Sequence, residues 1–125
     1  MSRVLIADDE VSMRSLVARA IAMDGHETVT AEDGAEALEI LIREDGAFDL
    51  LLTDIKMPIM DGIALALAAA RDFPRVTILL MTGFADQRER ASGLNAIVYD
   101  VVTKPFSVAD IRTAVADALA ARKAE

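Results

Sequence analysis

Residues 4–14 read VLIADDEVSMR and decide the fold class. The apolar run at residues 4–7 has the composition of a buried strand, and three acids at residues 8–10 follow it directly. A helical pattern comes next, with apolar residues on one face at Met13, Leu16, Val17, Ala20 and Ile21. A buried strand that passes through a short turn into an amphipathic helix is one βα unit.

The same alternation continues to the end of the chain. Strands are predicted at residues 3–7, 27–31, 48–54, 76–83 and 97–104. Helices are predicted at residues 10–25, 33–44, 61–73, 85–94 and 107–123. Apolar strands that alternate with helices indicate a parallel sheet covered by helices on both faces. The fold class is therefore α/β, a doubly wound five-stranded parallel sheet with five helices, of the flavodoxin-like kind.

The starts of the helices carry recognisable capping residues. Asp33 with Glu36, and Ser107 with Asp110, have the spacing of capping boxes. We expect Glu10 to lie in the first turn of its helix, where the helix dipole favours an acid.

The bulk composition excludes several classes of protein. The chain has 125 residues, the length of one domain, and a net charge of −8, which disfavours direct nucleic-acid binding. It has no Cys, so it forms neither disulfides nor thiolate metal sites. No apolar run approaches the roughly 18 residues of a membrane span. We expect a cytoplasmic protein that does not insert into membranes.

Polar residues stand where the predicted strands end. Asp8 and Asp9 follow the first strand, Asp54 ends the third, Thr82 the fourth and Lys104 the fifth. In an open α/β sheet, ligands bind outside the carboxyl ends of the strands. Three carboxylates supply hard oxygen ligands for a small cation such as Mg²⁺, and a carboxylate can act as a nucleophile towards phosphorus.

Each of these residues also fits a structural explanation when it is taken alone. Asp8 and Asp9 fit a solvated turn, Asp54 and Thr82 fit turn residues, and Lys104 fits a surface lysine. Their joint placement at four strand ends favours a shared site.

Four segments in this order resemble the receiver domain of two-component response regulators, a CheY-like family: IADDE, LLLTDIKMPIMDG, ILLMTG and VVTKPF. The resemblance covers essentially the whole chain, and residues 53–62 are its most specific part. It implies the strand order 2-1-3-4-5. It also implies a single receiver domain over residues 1–125 with no output domain, and we expect a complete, stand-alone protein.

The resemblance assigns a metal site to the acids. Asp9 and Asp54 would bind Mg²⁺ directly, together with the backbone carbonyl of Lys56. Asp8 would act through a metal-bound water. No other cofactor is implied.

The resemblance also assigns the phosphorylation chemistry. Asp54 would be the phosphoacceptor, Thr82 the switch hydroxyl that moves towards the phosphate, and Lys104 a contact to a phosphate oxygen. The family's peptide bond between Lys104 and Pro105 is typically cis, which a sequence cannot show.

The resemblance implies a signalling role rather than turnover of a substrate. A histidine kinase or histidine phosphotransferase would donate the phosphoryl group. An unidentified readout protein would then bind the face made by the helix predicted at 85–94, the fifth strand and the last helix. The chain departs from the family at Val101, where many receivers have Tyr or Phe, while its one Tyr is Tyr99. Lys56 and Phe84 stand at positions that tune the phosphoryl lifetime in this family.

Three other functions remain open from the sequence. A constitutive docking module would not use the acids, Thr82 and Lys104. A metal-dependent phosphatase of the haloacid-dehalogenase type would have an acid at the position of Lys56. A flavodoxin-like nucleotide binder would have a loop rich in Ser, Thr and Gly after the first strand, where this chain has residues 8–10, Asp-Asp-Glu.

Overall fold

The structure is a computed structural model and describes residues 2–83 and 91–123. Its strands are β1 Arg3–Ala7, β2 Glu27–Ala31, β3 Leu50–Asp54, β4 Thr77–Thr82 and β5 Asp100–Thr103. In the described ranges its α-helices are α1 Val11–Ala22, α2 Gly34–Arg43, α3 Gly62–Asp72 and α4 Val108–Lys123, and a 3₁₀ turn covers Ser92–Leu94. Among these helices none is long and apolar enough to cross a membrane.

The five strands form one parallel sheet in the order β2-β1-β3-β4-β5. This confirms the predicted fold class and strand order. The central strand β3 is buried along its whole length, as expected for a strand with helices on both faces.

Two apolar layers cover the sheet because alternate strand residues point to opposite faces. On one face Val4 and Ile6 of β1 pack with buried residues of α1 and α4. On the other face Leu5 and Ala7 pack with buried residues of α2 and α3. Both faces of β1 and β3 are thereby covered by helices.

The segment between β4 and β5 differs from its predicted form. Residues 84–90, most of the helix predicted at 85–94, lie outside the described residues, and the described end of that segment is the 3₁₀ turn. β5 begins at Asp100 rather than at residue 97. The N–H groups of Ile97 and Val98 donate to the carbonyl of Leu94, so these two residues close a turn before the strand starts.

The helix caps follow the sequence, with one correction. Asp33 Oδ1 accepts from the Glu36 N–H at 2.8 Å, and Ser107 and Asp110 cap one another's backbone N–H groups. The expectation for Glu10 is wrong: it is the N-cap residue of α1, with extended backbone, and lies outside the first turn. The cause is Asp8, whose Oδ1 accepts from the Glu10 N–H at 3.0 Å and delays the helix by one residue.

Candidate functional site: an acidic cluster with one lysine

The fold brings three of the predicted acids together. Asp8 follows β1, and Asp54 is the last residue of the neighbouring strand β3. Carboxylate oxygens of Asp8, Asp9 and Asp54 all lie within 4.8 Å of one another. Asp8 is fully buried, Asp54 is buried and Asp9 is exposed. The arrangement concentrates negative charge at the carboxyl ends of β1 and β3.

Lys104 neutralises part of this charge. Its Nζ lies 3.4 Å from Asp8 Oδ2 and 3.3 Å from Asp54 Oδ2, and its side chain is 18 % exposed. Lys104 follows β5, two strands away from β3, so only a long side chain could bridge the gap. The ammonium is a compact charge that can approach two carboxylates at once.

Burial and neighbouring charges set the protonation behaviour of Asp54. Burial raises the pKa of the Asp54 carboxyl above its ordinary value, because the charged form loses its water. The positive charge of Lys104 lowers this pKa, while the negative charge of Asp8 raises it. The Ile55 N–H donates to Asp54 Oδ1 at 2.9 Å and also lowers the pKa. Burial dominates, so the net change is upward.

Asp8 and Asp9 differ in how they are held. Asp8 Oδ1 accepts from the Glu10 N–H and Asp8 Oδ2 faces Lys104, so both oxygens are engaged. The Asp9 carboxylate has neither a hydrogen bond nor an ion pair with any residue in the described part of the chain. Asp9 is therefore the carboxylate most open to an external cation.

The cluster fits a small, hard cation by the chemistry of its donors. All its side-chain ligand atoms are carboxylate oxygens, which Mg²⁺ prefers. A cation there would offset the mutual repulsion of three close carboxylates. Asp8, Asp9 and Asp54 would hold it, and Lys56 lines the same cavity.

A cavity of about 750 Å³ opens beside the cluster. Its lining includes Asp9, Asp54, Lys56 and Lys104, so a ligand reaches the acids from here. Asp8 and Thr82 are fully buried and are not among the lining residues. The Thr82 carbonyl accepts from the Lys104 N–H at 2.7 Å, which ties the ends of β4 and β5 together.

Other predicted positions are also located. The peptide bond between Lys104 and Pro105 is cis. Val101 is half-buried and packs on the α2–α3 side of the sheet, whereas Tyr99 is exposed. Phe84 lies outside the described residues.

The sequence reasoning missed Arg14, which supports the acidic turn. Its Nη1 donates to the backbone carbonyl of Asp8 at 2.8 Å. A signal for it existed: Arg14 stands three residues before Val17 and seven before Ile21, so it shares the buried face of α1. A charged residue at such a position requires a partner.

The sequence reasoning also missed how closely α3 approaches the end of β3, the strand that carries Asp54. A Cβ atom on Gly62 would lie 1.9 Å from the carbonyl oxygen of Asp54. The helix predicted at residues 61–73 does start here, and Asp61 caps α3. The close approach itself depends on how α3 packs back against the end of β3, which residue type alone does not reveal.

The model of the response regulator receiver domain family matches residues 4–116. The chain belongs to this family. Phosphorylation on an Asp and Mg²⁺ binding at an acidic pocket are general properties of receiver domains, which are typically non-enzymatic signalling modules. Histidine kinases phosphorylate receiver domains, which then act on effector or output partners.

Relatives of this receiver domain include proteins of different lengths. The response regulator receiver protein CpdR of Brucella abortus is 38 % identical over 111 residues, which are 89 % of this chain and 91 % of CpdR. The probable transcriptional regulator ycf27 of Guillardia theta is 38 % identical over 105 residues, 84 % of this chain and 40 % of that protein. The chain thus spans less than half the length of some curated relatives.

Solved receiver structures share the fold. The response regulator TrrA of Thermotoga maritima, determined in complex with Mg²⁺-BeF, superposes with a TM-score of 0.82 at 29 % identity. The match covers 94 % of this receiver domain and 98 % of TrrA.

Proposed function

We propose that this receiver domain accepts a phosphoryl group on Asp54 from a phosphohistidine of a histidine kinase or phosphotransferase. It then signals in the cytoplasm through phosphorylation-dependent binding of a partner protein. The observation that carries the proposal is the cluster of Asp8, Asp9 and Asp54 within 4.8 Å, with the Lys104 ammonium within 3.4 Å of two of them.

Asp54 is the nucleophile in this proposal. One oxygen, Oδ1, is held by the Ile55 N–H, and the other, Oδ2, faces Lys104 Nζ. A carboxylate oxygen of Asp54 forms a bond to phosphorus as the bond from phosphorus to the histidine nitrogen breaks. The electron pair of the broken bond stays on the imidazole, and the product is an aspartyl phosphate.

Charge stabilisation comes from the residues around Asp54. Lys104 balances the negative charge of the transferred group, because its ammonium already lies beside the acceptor carboxylate. Asp8, Asp9, Asp54 and the backbone carbonyl of Lys56 would hold Mg²⁺. The bound ion would supply Lewis-acid stabilisation of the phosphoryl oxygens.

The output step uses Thr82 and the strand beside it. The hydroxyl of Thr82 moves towards the new phosphate. The Thr82 carbonyl is bonded to the Lys104 N–H, so a shift at the end of β4 reaches β5 directly. A readout protein binds the face of β5 and α4 together with the segment before β5, in a phosphorylation-dependent way. The chain catalyses only its own phosphotransfer and dephosphorylation.

The first experiment measures the intact mass of the protein after incubation with Mg²⁺ and acetyl phosphate. We expect the wild type to gain one phosphoryl group, and Asp54→Asn or an excess of chelator to abolish the gain. Asp61→Asn is the matched control, because it removes the same charge from an Asp that caps α3. It should be phosphorylated like the wild type.

The contrary result is also informative. An unmodified wild type under all conditions would contradict the proposal. The constitutive docking module, in which the same face binds a partner without phosphorylation, would then replace it.

A further inference from the structure

Arg14 is a mostly buried arginine beside the acidic cluster. It lies on α1, its side chain is only 14 % exposed, and its Nη1 donates to the carbonyl oxygen of Asp8 at 2.8 Å. Its Nη2 is 3.8 Å from Glu32 Oε1, a weaker contact because Glu32 is well exposed. The bond to Asp8 is therefore the main interaction of this guanidinium.

The carbonyl of Asp8 lies just beyond the end of β1. The Asp8 N–H donates to the Ala31 carbonyl at 3.1 Å, and this is the last hydrogen bond at the paired ends of β1 and β2. Asp8 is fully buried, so water has little access to its carbonyl oxygen. Arg14 supplies the donor that neither the sheet nor the solvent provides.

The same bond fixes the direction in which Asp9 leaves the strand. The Asp8 carbonyl and the Asp9 N–H belong to one planar peptide unit, so holding the carbonyl orients the whole plane. The Asp9 carboxylate has no side-chain anchor within the described residues. Its place beside Asp8 and Asp54 therefore depends on the backbone that Arg14 holds.

We infer that Arg14 is a positioning residue for Mg²⁺: it holds the turn after β1 so that Asp9 stays within reach of a cation bound by Asp8 and Asp54. The inference rests on the proposed function for the identity of the ion. The charge of Arg14 would by itself repel a cation, so its charge and its positioning role have opposite effects on Mg²⁺ affinity. The sign of the change separates them.

The test is calorimetric titration of the phosphate-free protein with MgCl₂, at temperatures where circular dichroism shows each variant folded. We expect Arg14→Met to weaken Mg²⁺ binding about tenfold, the lower end of the effect of removing an outer support of a metal ligand. The matched control is Arg19→Met, an exposed arginine on the same helix. It should bind Mg²⁺ like the wild type or slightly more tightly.

Conservative replacement separates the hydrogen bond from packing. Arg14→Lys keeps a donor and should bind Mg²⁺ more tightly than Arg14→Met. Equal losses in the two variants would overturn the role of the hydrogen bond. Unchanged or tighter binding by Arg14→Met would overturn the inference and leave the proposed function standing.

Two further experimental outcomes also decide the inference. If the wild type binds no Mg²⁺, both the inference and the proposed metal site fall together. If Arg14→Met does not fold, Arg14→Gln is compared with Arg19→Gln, and a loss of at least about threefold is expected. An unchanged dissociation constant for Arg14→Gln overturns the inference.

Discussion

Asp54 combines two requirements that conflict. As the proposed nucleophile it would have to be ionised, yet its burial at the end of β3 opposes ionisation and raises its pKa. Lys104 and the Ile55 N–H reduce this penalty without removing it. The ionised form of Asp54 therefore lowers the stability of the fold at neutral pH.

Replacing Asp54 with Asn should make the protein more stable at neutral pH. Because the pKa of Asp54 is raised in the folded state, the folded protein binds its proton more tightly than the unfolded chain does. The stability due to the protonated carboxyl is fully present below its ordinary pKa of 3.8 and is lost as pH rises through the folded pKa. Asn cannot ionise, so the variant does not lose this stability as pH rises.

The measurement is urea unfolding of both proteins in metal-free buffer from acid to neutral pH. The advantage of Asp54→Asn should grow as pH rises above 3.8 and then level off. Asp117→Asn, at an exposed position on α4, controls for the change in net charge. A wild type that is the more stable protein at neutral pH would contradict the prediction.

The helices that follow β2 and β3 begin in unusually close contact with other backbone. Gly34 starts α2, and its N–H donates to the Met60 carbonyl at 3.0 Å. Gly62 starts α3, and its N–H donates to the Ile55 carbonyl at 2.8 Å. A side chain on either glycine would collide with a backbone carbonyl. These contacts brace the loop that carries Lys56.

Gly62→Ala should destabilise the fold by about 3 kcal/mol, the upper part of the usual range for overpacking. The added Cβ would lie 1.9 Å from the Asp54 carbonyl oxygen and 3.0 Å from Ile55 Cα, and neither backbone atom can move without shifting β3. Urea unfolding measures the loss. Gly93→Ala is the control, since among the described residues no atom beyond its chain neighbours lies within 4 Å of the position of its Cβ. Equal stabilities of the two variants would refute the prediction.

The site as a whole is a product of strand order. Asp8 and Asp54 come from neighbouring strands, whereas Lys104 reaches them from the far edge strand β5. Every strand in the sheet is parallel, so all these carboxyl ends face the same way. A cation bound by these acids would therefore cross-link the turn after β1 to the end of β3.

Mg²⁺ should stabilise the whole protein by mass action. An ion that binds only the folded state adds about 2.7 kcal/mol to the free energy of unfolding at a concentration one hundred times its dissociation constant. Asp9→Asn should lose most of this gain, because Asp9 is the acid most open to the ion. Thermal and urea unfolding with MgCl₂ or with chelator measure it.

The control for this prediction is Glu10→Gln. Glu10 lines the same cavity but lies outside the three-carboxylate cluster, so this variant should keep most of the gain. A similar loss in both variants would indicate a diffuse effect of negative charge rather than a defined site.

The sequence by itself determined the fold class, the strand order through the family resemblance, and the identity of the clustered acids. It could do so because local signals are strong there: apolar strands, capping residues and polar residues at strand ends. The expectation for Glu10 failed because the Asp8 carboxylate takes the Glu10 N–H, a local bond that the pattern of residues does not reveal.

Only the tertiary structure decided how the site is supported. The bridge from Lys104 to two carboxylates joins segments far apart in the sequence. The bond from Arg14 to the Asp8 carbonyl and the contact of Gly62 with Asp54 join consecutive elements, but both depend on how the helix packs against the strand before it. Such contacts are made or lost when packed elements shift by a few tenths of an ångström. Residue type and spacing predict which elements form, whereas packing fixes which atoms meet.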